Sequence, residues 1–511
     1  MSIRYLRWVL VLISTFFLFT YSAQAQNIIG NKKSTSIDEP LDSDFNQLYL
    51  VFAGPYPASP SSVFGHLFLL VEPKGGDTSN PQLWRAINFA ADVEGHSGIS
   101  TLYNGLIGNL EGSFEHLPFY KKIRDYSYSE ARDLWLFPIE LTPKEKHRFA
   151  NFINSRQDST SQYRFSDKNC ATYISKSLHY SFDEPFENKV FVLPQDVISD
   201  GFINQRLSTP LWIQDIEGQL GELVSKYELN NLANPNLDSL DATEKVHFLK
   251  TYEWLYNNRS IRFDAEKKEL IRKLRYDIAQ QETDYEFNQL ESKEFDIHHP
   301  ARIGVNYFYG DDSSNRLLVD TRLGLHGFSD KANTYPKYDY IDIFRIRAMV
   351  SRSEVLMDEF WIFHQSSRQP KSELNNPLSW SLGLGGDRFL YEGQSLMALG
   401  IYSAVGKSYS ILDDLWSSSM ILSANPTYLE KHTWSLIVNP KVENRIFVSQ
   451  NVKGMVEVSN PIFLQSNEVF SPRLNFNGVY SITDNIYFTS EIEWQSKQVR
   501  VLGGINFNLS L

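Results

Sequence analysis

The C-terminal part of the chain carries the pattern that most restricts what it can fold into. From Ala301 to Leu511, apolar and polar residues alternate over segments of about ten residues, and turn clusters such as Gly310-Asp311-Asp312 separate the segments. A period of two gives a β-strand one apolar face and one polar face. Roughly twelve such segments predict an antiparallel β-barrel over residues 301–511.

Aromatic residues indicate where this barrel would lie. They make up 14% of the chain, and several stand near segment ends: Tyr307, Tyr309, Trp361, Trp434, Tyr487 and Trp494. Barrels of the outer membrane carry aromatic girdles at both interfaces, and their closure leaves no strand edge unpaired in lipid. The pattern therefore favours an outer-membrane barrel. A soluble antiparallel sandwich or barrel is the alternative.

The N-terminus has the features of an export signal. Arg4 and Arg7 precede an apolar run over residues 8–20, and the small residues Ala23 and Ala25 follow. This order predicts a secretory signal peptide over residues 1–25, cleaved after Ala25. The apolar run of about 13 residues is shorter than the ~20 that span a bilayer. We expect an exported chain that is not itself a lipoprotein, because the residue directly after the cleavage site is not a cysteine.

Charge and cysteine content exclude several classes of function. The 49 basic and 61 acidic residues give a net charge of −12, and the basic residues are scattered, so we expect no nucleic-acid partner. The one cysteine excludes an intrachain disulfide framework and cysteine-based metal sites. Neither an H-E-x-x-H stretch nor a paired-cysteine motif occurs. We therefore predict no metal and no other cofactor.

Two further regions precede the barrel. Residues 26–210 alternate short apolar strands with helical stretches, which predicts an α+β domain. Within it, Thr142, Pro143 and Glu145 form a capping box with a proline at the first helical position. A second helix is predicted to start near Ser166 or Asp167. Residues 211–300 show helical spacing with dense charge and predict a helical connector.

Cys170 is the candidate nucleophile. It falls in the first turn of the second predicted helix, where backbone N–H groups and the helix dipole stabilise a thiolate. An unpaired thiol in an oxidising compartment is prone to oxidation, so we expect it to be either buried or used in catalysis. Apolar neighbours three, four and eight residues further along also fit a buried, inert thiol, so both interpretations stay open at this point.

His66 is the candidate general base, because it stands at the start of an apolar strand, where a packed helix can approach it. If that strand turns at about residue 77 and pairs with the strand around Asn88, positions 66 and 88 face each other. Asn88 would then orient the imidazole. Asp92, Tyr56 and Tyr103 are rivals for this role. The pair His298-His299 is predicted to be an exposed feature of the linker rather than a metal site.

Five short motifs resemble a known family in order and spacing. They are Phe64-Gly65-His66-Leu67-Phe68-Leu69, Asn88-Phe89-Ala90-Ala91, Gly105-Leu106-Ile107-Gly108, Glu130-Ala131-Arg132-Asp133-Leu134-Trp135 and Asn169-Cys170-Ala171-Thr172-Tyr173. Over about residues 45–200 the chain resembles the periplasmic domain of the Lnb-type bacterial lipoprotein N-acyltransferases, which have a permuted papain-like fold with histidine before cysteine. The resemblance implies thioester chemistry, with Cys170 as nucleophile and His66 as base.

The part of this chain that follows the domain differs from that of the best-known member of the family, which continues into transmembrane helices rather than a barrel. The combination here resembles exported proteins that join this domain to a C-terminal barrel. We therefore predict a cysteine-dependent acyltransferase or hydrolase that acts on phospholipid or lipoprotein substrates. Its barrel, residues 301–511, would lie in the outer membrane and its N-terminal domain in the periplasm. A cell-wall peptidase or amidase of the same fold, and a non-catalytic assembly or channel protein, are the alternatives.

Overall fold

The computed structural model of the chain divides it into two compact units. One comprises residues 1–53, 66–192 and 202–293, and the other residues 54–65, 193–201 and 294–511. The structure describes residues 37, 39–56, 64–75, 81–93, 98–157, 159–219, 240–242, 244–246, 248–249, 265–280, 291–310, 316–331, 334–352, 354–372, 376–391, 394–412, 415–430, 433–464, 472–495 and 498–509. The predicted signal peptide over residues 1–25 lies outside these ranges.

The first unit is built on one antiparallel sheet of eight strands. The strands are β1 (Phe45–Ala53), β2 (His66–Pro73), β3 (Arg85–Ala91), β4 (Leu110–Pro118), β5 (Leu134–Ile139), β6 (Thr160–Tyr163), β7 (Leu211–Ile213) and β8 (Glu291–Ser292). Their order across the sheet is β6-β4-β3-β2-β1-β5-β7-β8. Together with the helices that follow, this confirms the predicted α+β class.

Helices connect and cover these strands. They are α1 (Gly98–Ile107), α2 (Phe119–Ile123) with a π-helical turn (Arg124–Ser129), α3 (Pro143–Asn154), α4 (Cys170–Phe182), α5 (Pro194–Ile198), α6 (Gly201–Asn204) and α7 (Ala265–Gln280). Helix α5 belongs to the second unit, α6 lies at the boundary, and the others belong to the first unit. The capping box forms: Glu145 N–H donates to Thr142 Oγ1 at 3.4 Å, and Thr142 N–H donates to Glu145 Oε2 at 2.7 Å. The second predicted helix begins at Cys170, later than Ser166 or Asp167.

The central strands are buried on both faces. β2 is buried from Leu67 to Glu72, so both of its alternating sets of side chains face protein. A sheet with one face in water would instead show one exposed set. Helix α4 packs against β2 on one face. On the other, Phe68 and Leu70 join a core cluster with Phe119 and Ile123. The sheet therefore holds α4, and the thiol at its start, in a fixed place.

The predicted helical connector over residues 211–300 is only partly helical. Its first residues form β7, which pairs with β5, and β8 pairs with β7 in turn. Helix α7 and the helical residues 216–219, 242, 244–246 and 248–249 are its described helical parts. Strands of two or three residues are too short to produce a period in the sequence, which explains why the boundary predicted at residue 210 falls one residue before a strand of the first sheet.

The second unit contains a β-barrel. Its strands are β9 (Ala301–Gly310), β10 (Arg316–Arg322), β11 (Gly324–His326), β12 (Asp339–Val350), β13 (Val355–Ser367), β14 (Ser379–Tyr391), β15 (Gln394–Leu412), β16 (Trp416–Leu429), β17 (Thr433–Phe447), β18 (Val452–Ser459), β19 (Ile462–Phe463), β20 (Arg473–Ser481), β21 (Ile486–Gln495) and β22 (Gln498–Leu509).

The barrel is closed by antiparallel pairing of its first and last strands. β22 pairs with β9, β9 with β10, and β10 with β12, which completes a ring of twelve. The short strands β11 and β19 pair only with β12 and β17 respectively. The strand count predicted from the alternation is confirmed.

Side chains of the barrel are sorted in the opposite way to those of a soluble protein. On β22 the apolar side chains of Val499, Val501, Phe507 and Leu509 are exposed on the outer face, whereas Leu502, Asn506 and Asn508 are buried inside. An apolar outer face and a polar interior are the arrangement of a barrel in lipid. Within the described ranges, no helix is both long and apolar enough to cross a membrane.

Candidate active site

Cys170 is the first residue of α4. Asn169 caps the helix: Thr172 N–H donates to Asn169 Oδ1 at 3.1 Å, and Asn169 Nδ2 donates to the carbonyl oxygens of Phe165 at 2.9 Å and Val192 at 2.8 Å. These three bonds fix the segment that leads into the helix. The thiol therefore sits where free backbone N–H groups of a helix start converge.

Opposing influences act on the Cys170 thiol. Burial raises its pKa above the ordinary value, because a thiolate loses its hydration there. The backbone N–H groups of Leu67, Ala171 and Cys170 itself, and the positive charge of Arg132, act in the other direction. Burial prevails, so the resting group is a thiol surrounded by donors that can stabilise negative charge.

His66 and Asn88 meet, but not through the register that the sequence suggested. β2 and β3 pair Leu69 with Ile87, which sets positions 66 and 88 two residues apart along the ladder. Both side chains lie on the same face of the sheet, as diagonal neighbours on adjacent strands. His66 Nε2 and Asn88 Oδ1 are 2.5 Å apart and form a hydrogen bond. Gly65, with φ of +85°, provides the left-handed turn immediately before His66.

Glu115 completes this chain of hydrogen bonds. It stands opposite Asn88 in the pairing of β3 with β4, and Asn88 Nδ2 donates to Glu115 Oε2 at 3.1 Å. This bond orients the amide so that its oxygen faces His66. His66 Nε2 therefore carries the proton and donates it, which leaves Nδ1 as the basic nitrogen. The sequence alone did not identify Glu115, because its position opposite Asn88 depends on how β3 pairs with β4.

The imidazole of His66 is neutral at physiological pH. Burial, assisted by the positive charges of Lys122 and Arg132, lowers its pKa to about 3, although the bond to Asn88 opposes the shift. With a raised pKa for the Cys170 thiol and a lowered pKa for the His66 imidazole, both groups are uncharged at neutral pH. A reaction that uses both groups would therefore move the proton during bond formation, without a preformed thiolate and imidazolium.

Tyr126 is a neighbour of the site that the sequence did not reveal. Its ring lies 5.7 Å from that of His66, centroid to centroid, and the guanidinium of Arg132 stands 4.7 Å from the Tyr126 centroid. Arg132 is buried and donates to the carbonyl of Ala53 at 3.0 Å. Tyr126 lies in the π-helical turn, an irregularity common at functional sites. Of the rivals to Asn88, Asp92 and Tyr103 are exposed.

A second cluster lies in the barrel unit. His298, His326 and Asp330 are buried, with ligand atoms within 4.8 Å of one another. His298 was expected to be exposed, and the structure corrects this. Its Nε2 lies 2.8 Å from His326 Nδ1 while the ring centroids are 5.1 Å apart, so the nitrogens point at each other across a hydrogen bond. A metal held at about 2.0 Å from each would not fit between them.

The charge state of the site predicts how Cys170 reacts with alkylating reagents. Because only the thiolate reacts and the pKa of Cys170 is raised, the iodoacetamide rate should rise about tenfold per pH unit from pH 7 to 9. Intact mass against time at each pH gives the rate for this single cysteine. A rate that is constant from pH 5 to 8 would instead indicate a thiolate–imidazolium pair.

Comparison with known families identifies both parts of the chain. Residues 41–198 match the Lnb N-terminal periplasmic domain. Residues 296–506 match a domain of unknown function, DUF7840. A search of curated proteins found no match. The first match spans β1 to α5, and so includes His66, Asn88, Glu115 and Cys170.

Solved structures of outer-membrane proteins resemble the barrel at low identity. The KdgM porin is 13% identical, with 41% of this chain and 99% of that chain covered and a TM-score of 0.26. The outer membrane protein Omp33 of Acinetobacter baumannii is 9% identical, with 42% and 100% covered and a TM-score of 0.25. An anion-selective porin from Comamonas acidovorans is 9% identical, with 40% and 97% covered and a TM-score of 0.22. On the family match and the apolar outer face of the closed ring, the chain joins an Lnb-type periplasmic domain to a twelve-stranded β-barrel of the outer membrane.

Proposed function

We propose that this chain is a cysteine-dependent acyltransferase or hydrolase at the periplasmic face of the outer membrane. Cys170 is the nucleophile, His66 the general base and Asn88 the residue that orients the imidazole. The observation that carries the proposal is the set of backbone N–H groups around the Cys170 thiol. The hydrogen-bonded chain from His66 through Asn88 to Glu115 supports it.

Acylation begins from an uncharged thiol and an uncharged imidazole. As Cys170 Sγ attacks the carbonyl carbon of an ester, His66 Nδ1 takes the thiol proton, and the carbonyl oxygen becomes an oxyanion. Backbone N–H groups at the start of α4 are placed to donate to developing negative charge. When the intermediate collapses, the alkoxide leaves with the proton from His66, and the acyl group stays on sulfur as a thioester.

Deacylation repeats these steps with a second nucleophile. His66 Nδ1 removes a proton from an incoming amine or water, which attacks the thioester carbonyl. Collapse of the second intermediate returns the proton to sulfur and releases an amide or an acid. An amine acceptor makes the protein an acyltransferase, and water makes it a hydrolase. The hydrogen bond from His66 Nε2–H to Asn88 keeps Nδ1 free in both halves.

Phospholipid or lipoprotein is the substrate class we propose. A barrel in the outer membrane keeps the domain next to lipid, which raises the effective concentration of membrane substrates without any new contact. Both substrate types carry acyl esters, the group that the thiol attacks.

Burst kinetics of the full-length protein in detergent test this proposal. With p-nitrophenyl butyrate, we expect a burst of one p-nitrophenolate per chain followed by slower turnover, because the thioester forms faster than it is hydrolysed. Treatment with iodoacetamide at pH 9 should remove the burst, since Cys170 is the one cysteine in the sequence. Ester hydrolysis without a burst, and unaffected by iodoacetamide, would contradict the proposal.

A further inference from the structure

The interior of the barrel contains ion pairs between strands that are not neighbours. Arg347 on β12 bonds to Glu491 on β21, with Nη2 and Oε2 3.0 Å apart. Around the ring, β10, β9 and β22 separate these two strands. Since neighbouring strands lie about 4.8 Å apart, the pair joins points about 19 Å apart along the wall. Such a contact has to pass through the lumen.

Other contacts cross the lumen in the same way. Arg473 on β20 pairs with Asp387 on β14 at 3.6 Å, across four intervening strands. Arg368, which follows β13, pairs with Glu443 on β17 at 3.7 Å, across three. We call these three pairs, including Arg347–Glu491, the cross-lumen pairs. They lie at different heights, because Arg368 stands at the end where β9 begins and Arg473 at the opposite end.

A segment between β10 and β12 folds into the barrel at the end where β9 begins. It comprises residues 323–331, and we call it the inner segment. Its Asp330 is completely buried, pairs with Arg322 on β10 at 2.7 Å and accepts from Asn508 on β22 at 3.1 Å. Lys453 on β18 donates to the Asp330 carbonyl. One residue thus contacts strands on well-separated parts of the ring.

The remaining space has balanced charge. A cavity of about 320 Å³ is lined by seven basic and seven acidic side chains. Equal numbers of both signs give the lining of this cavity no net charge that would attract one class of ion, and the charges can pair with one another instead.

We propose that the cross-lumen pairs and the inner segment close the barrel to ions and small solutes. The barrel is then an anchor for the periplasmic domain and not a diffusion pore. This inference does not depend on the chemistry at Cys170. It distinguishes the anchor from the channel that the sequence left open as an alternative.

Solute uptake by proteoliposomes tests the proposal. The full-length protein is reconstituted, flotation verifies insertion, and swelling in an isotonic sugar solution reports a pore. We expect inserted wild-type protein to give the swelling rate of empty liposomes. Swelling of wild-type proteoliposomes at the rate given by a general porin would overturn the proposal.

Two variants test which residues close the lumen. In the opened variant, the inner segment is replaced by a short glycine-serine turn and the substitutions Arg347→Ala, Glu491→Ala, Arg368→Ala and Glu443→Ala remove both charges of two cross-lumen pairs. We expect this variant to swell. The control variant Arg316→Ala with Glu354→Ala removes a pair 3.4 Å apart at the rim, between neighbouring parts of the wall, and should stay closed. An opened variant that inserts yet does not swell would show that these groups do not close the barrel.

Discussion

Replacing Cys170 by alanine should abolish the burst with p-nitrophenyl butyrate and lower acyl transfer to background. Removing the nucleophile of a catalytic triad costs on the order of 10⁶ in kcat, because no other group forms the covalent intermediate. Alanine keeps the helix start intact, since the cap at Asn169 acts through its own side chain. Stopped-flow absorbance of p-nitrophenolate gives both burst and steady state.

A matched control is available in the same helix. Ser175 is buried like Cys170, and Ser175→Ala also removes one polar group from α4. We expect this variant to keep the burst. If Ser175→Ala and Cys170→Ala lose activity to the same extent, the loss reflects disturbance of α4 rather than removal of a nucleophile.

Replacing His66 by glutamine should slow acylation by about 10²- to 10⁴-fold, the usual contribution of a general base. Glutamine can still bond to Asn88 but has no basic nitrogen for the thiol proton. The iodoacetamide rate of Cys170 at pH 9 should stay within a few-fold of wild type, because hydroxide then provides the thiolate. Pre-steady-state burst rates measure the effect on acylation.

The exposed histidine His147 provides the control for that substitution. His147→Gln makes the same chemical change on the surface of α3 and should leave the burst rate unchanged. An unchanged burst rate in His66→Gln would show that His66 is not the general base for acylation.

Periodicity allowed much of the fold to be predicted from the sequence. The alternation after Ala301 reports directly which side chains face lipid, so it predicts both the closed barrel and its twelve strands. The cross-lumen pairs could not be predicted in this way, because alternation shows which side chains face inward but not which of them meet. Their members, such as Arg347 and Glu491, all stand on the inner face, and which of them meet depends on how the ring closes. The inner segment has no period at all.

The candidate site was accessible from the sequence only in part. His66 and Asn88 follow from the order of two strands, and their side chains do meet, although the register differs from the expected one. Glu115 required the pairing of β3 with β4. Tyr126 lies in a π-helical turn, which leaves no regular spacing in the sequence. The direction of the Cys170 pKa also depends on burial, because a helix start alone predicts the opposite shift.

We expect Cys170 to carry an acyl group during turnover. The most direct measurement is the intact mass of the full-length protein after incubation with phospholipid vesicles in the absence of an acceptor amine, before and after neutral hydroxylamine. We expect a fatty-acyl increment on the wild-type protein that hydroxylamine removes and that Cys170→Ala never acquires. A wild-type mass that stays equal to that of the unmodified chain, or an increment that persists in Cys170→Ala, would contradict it.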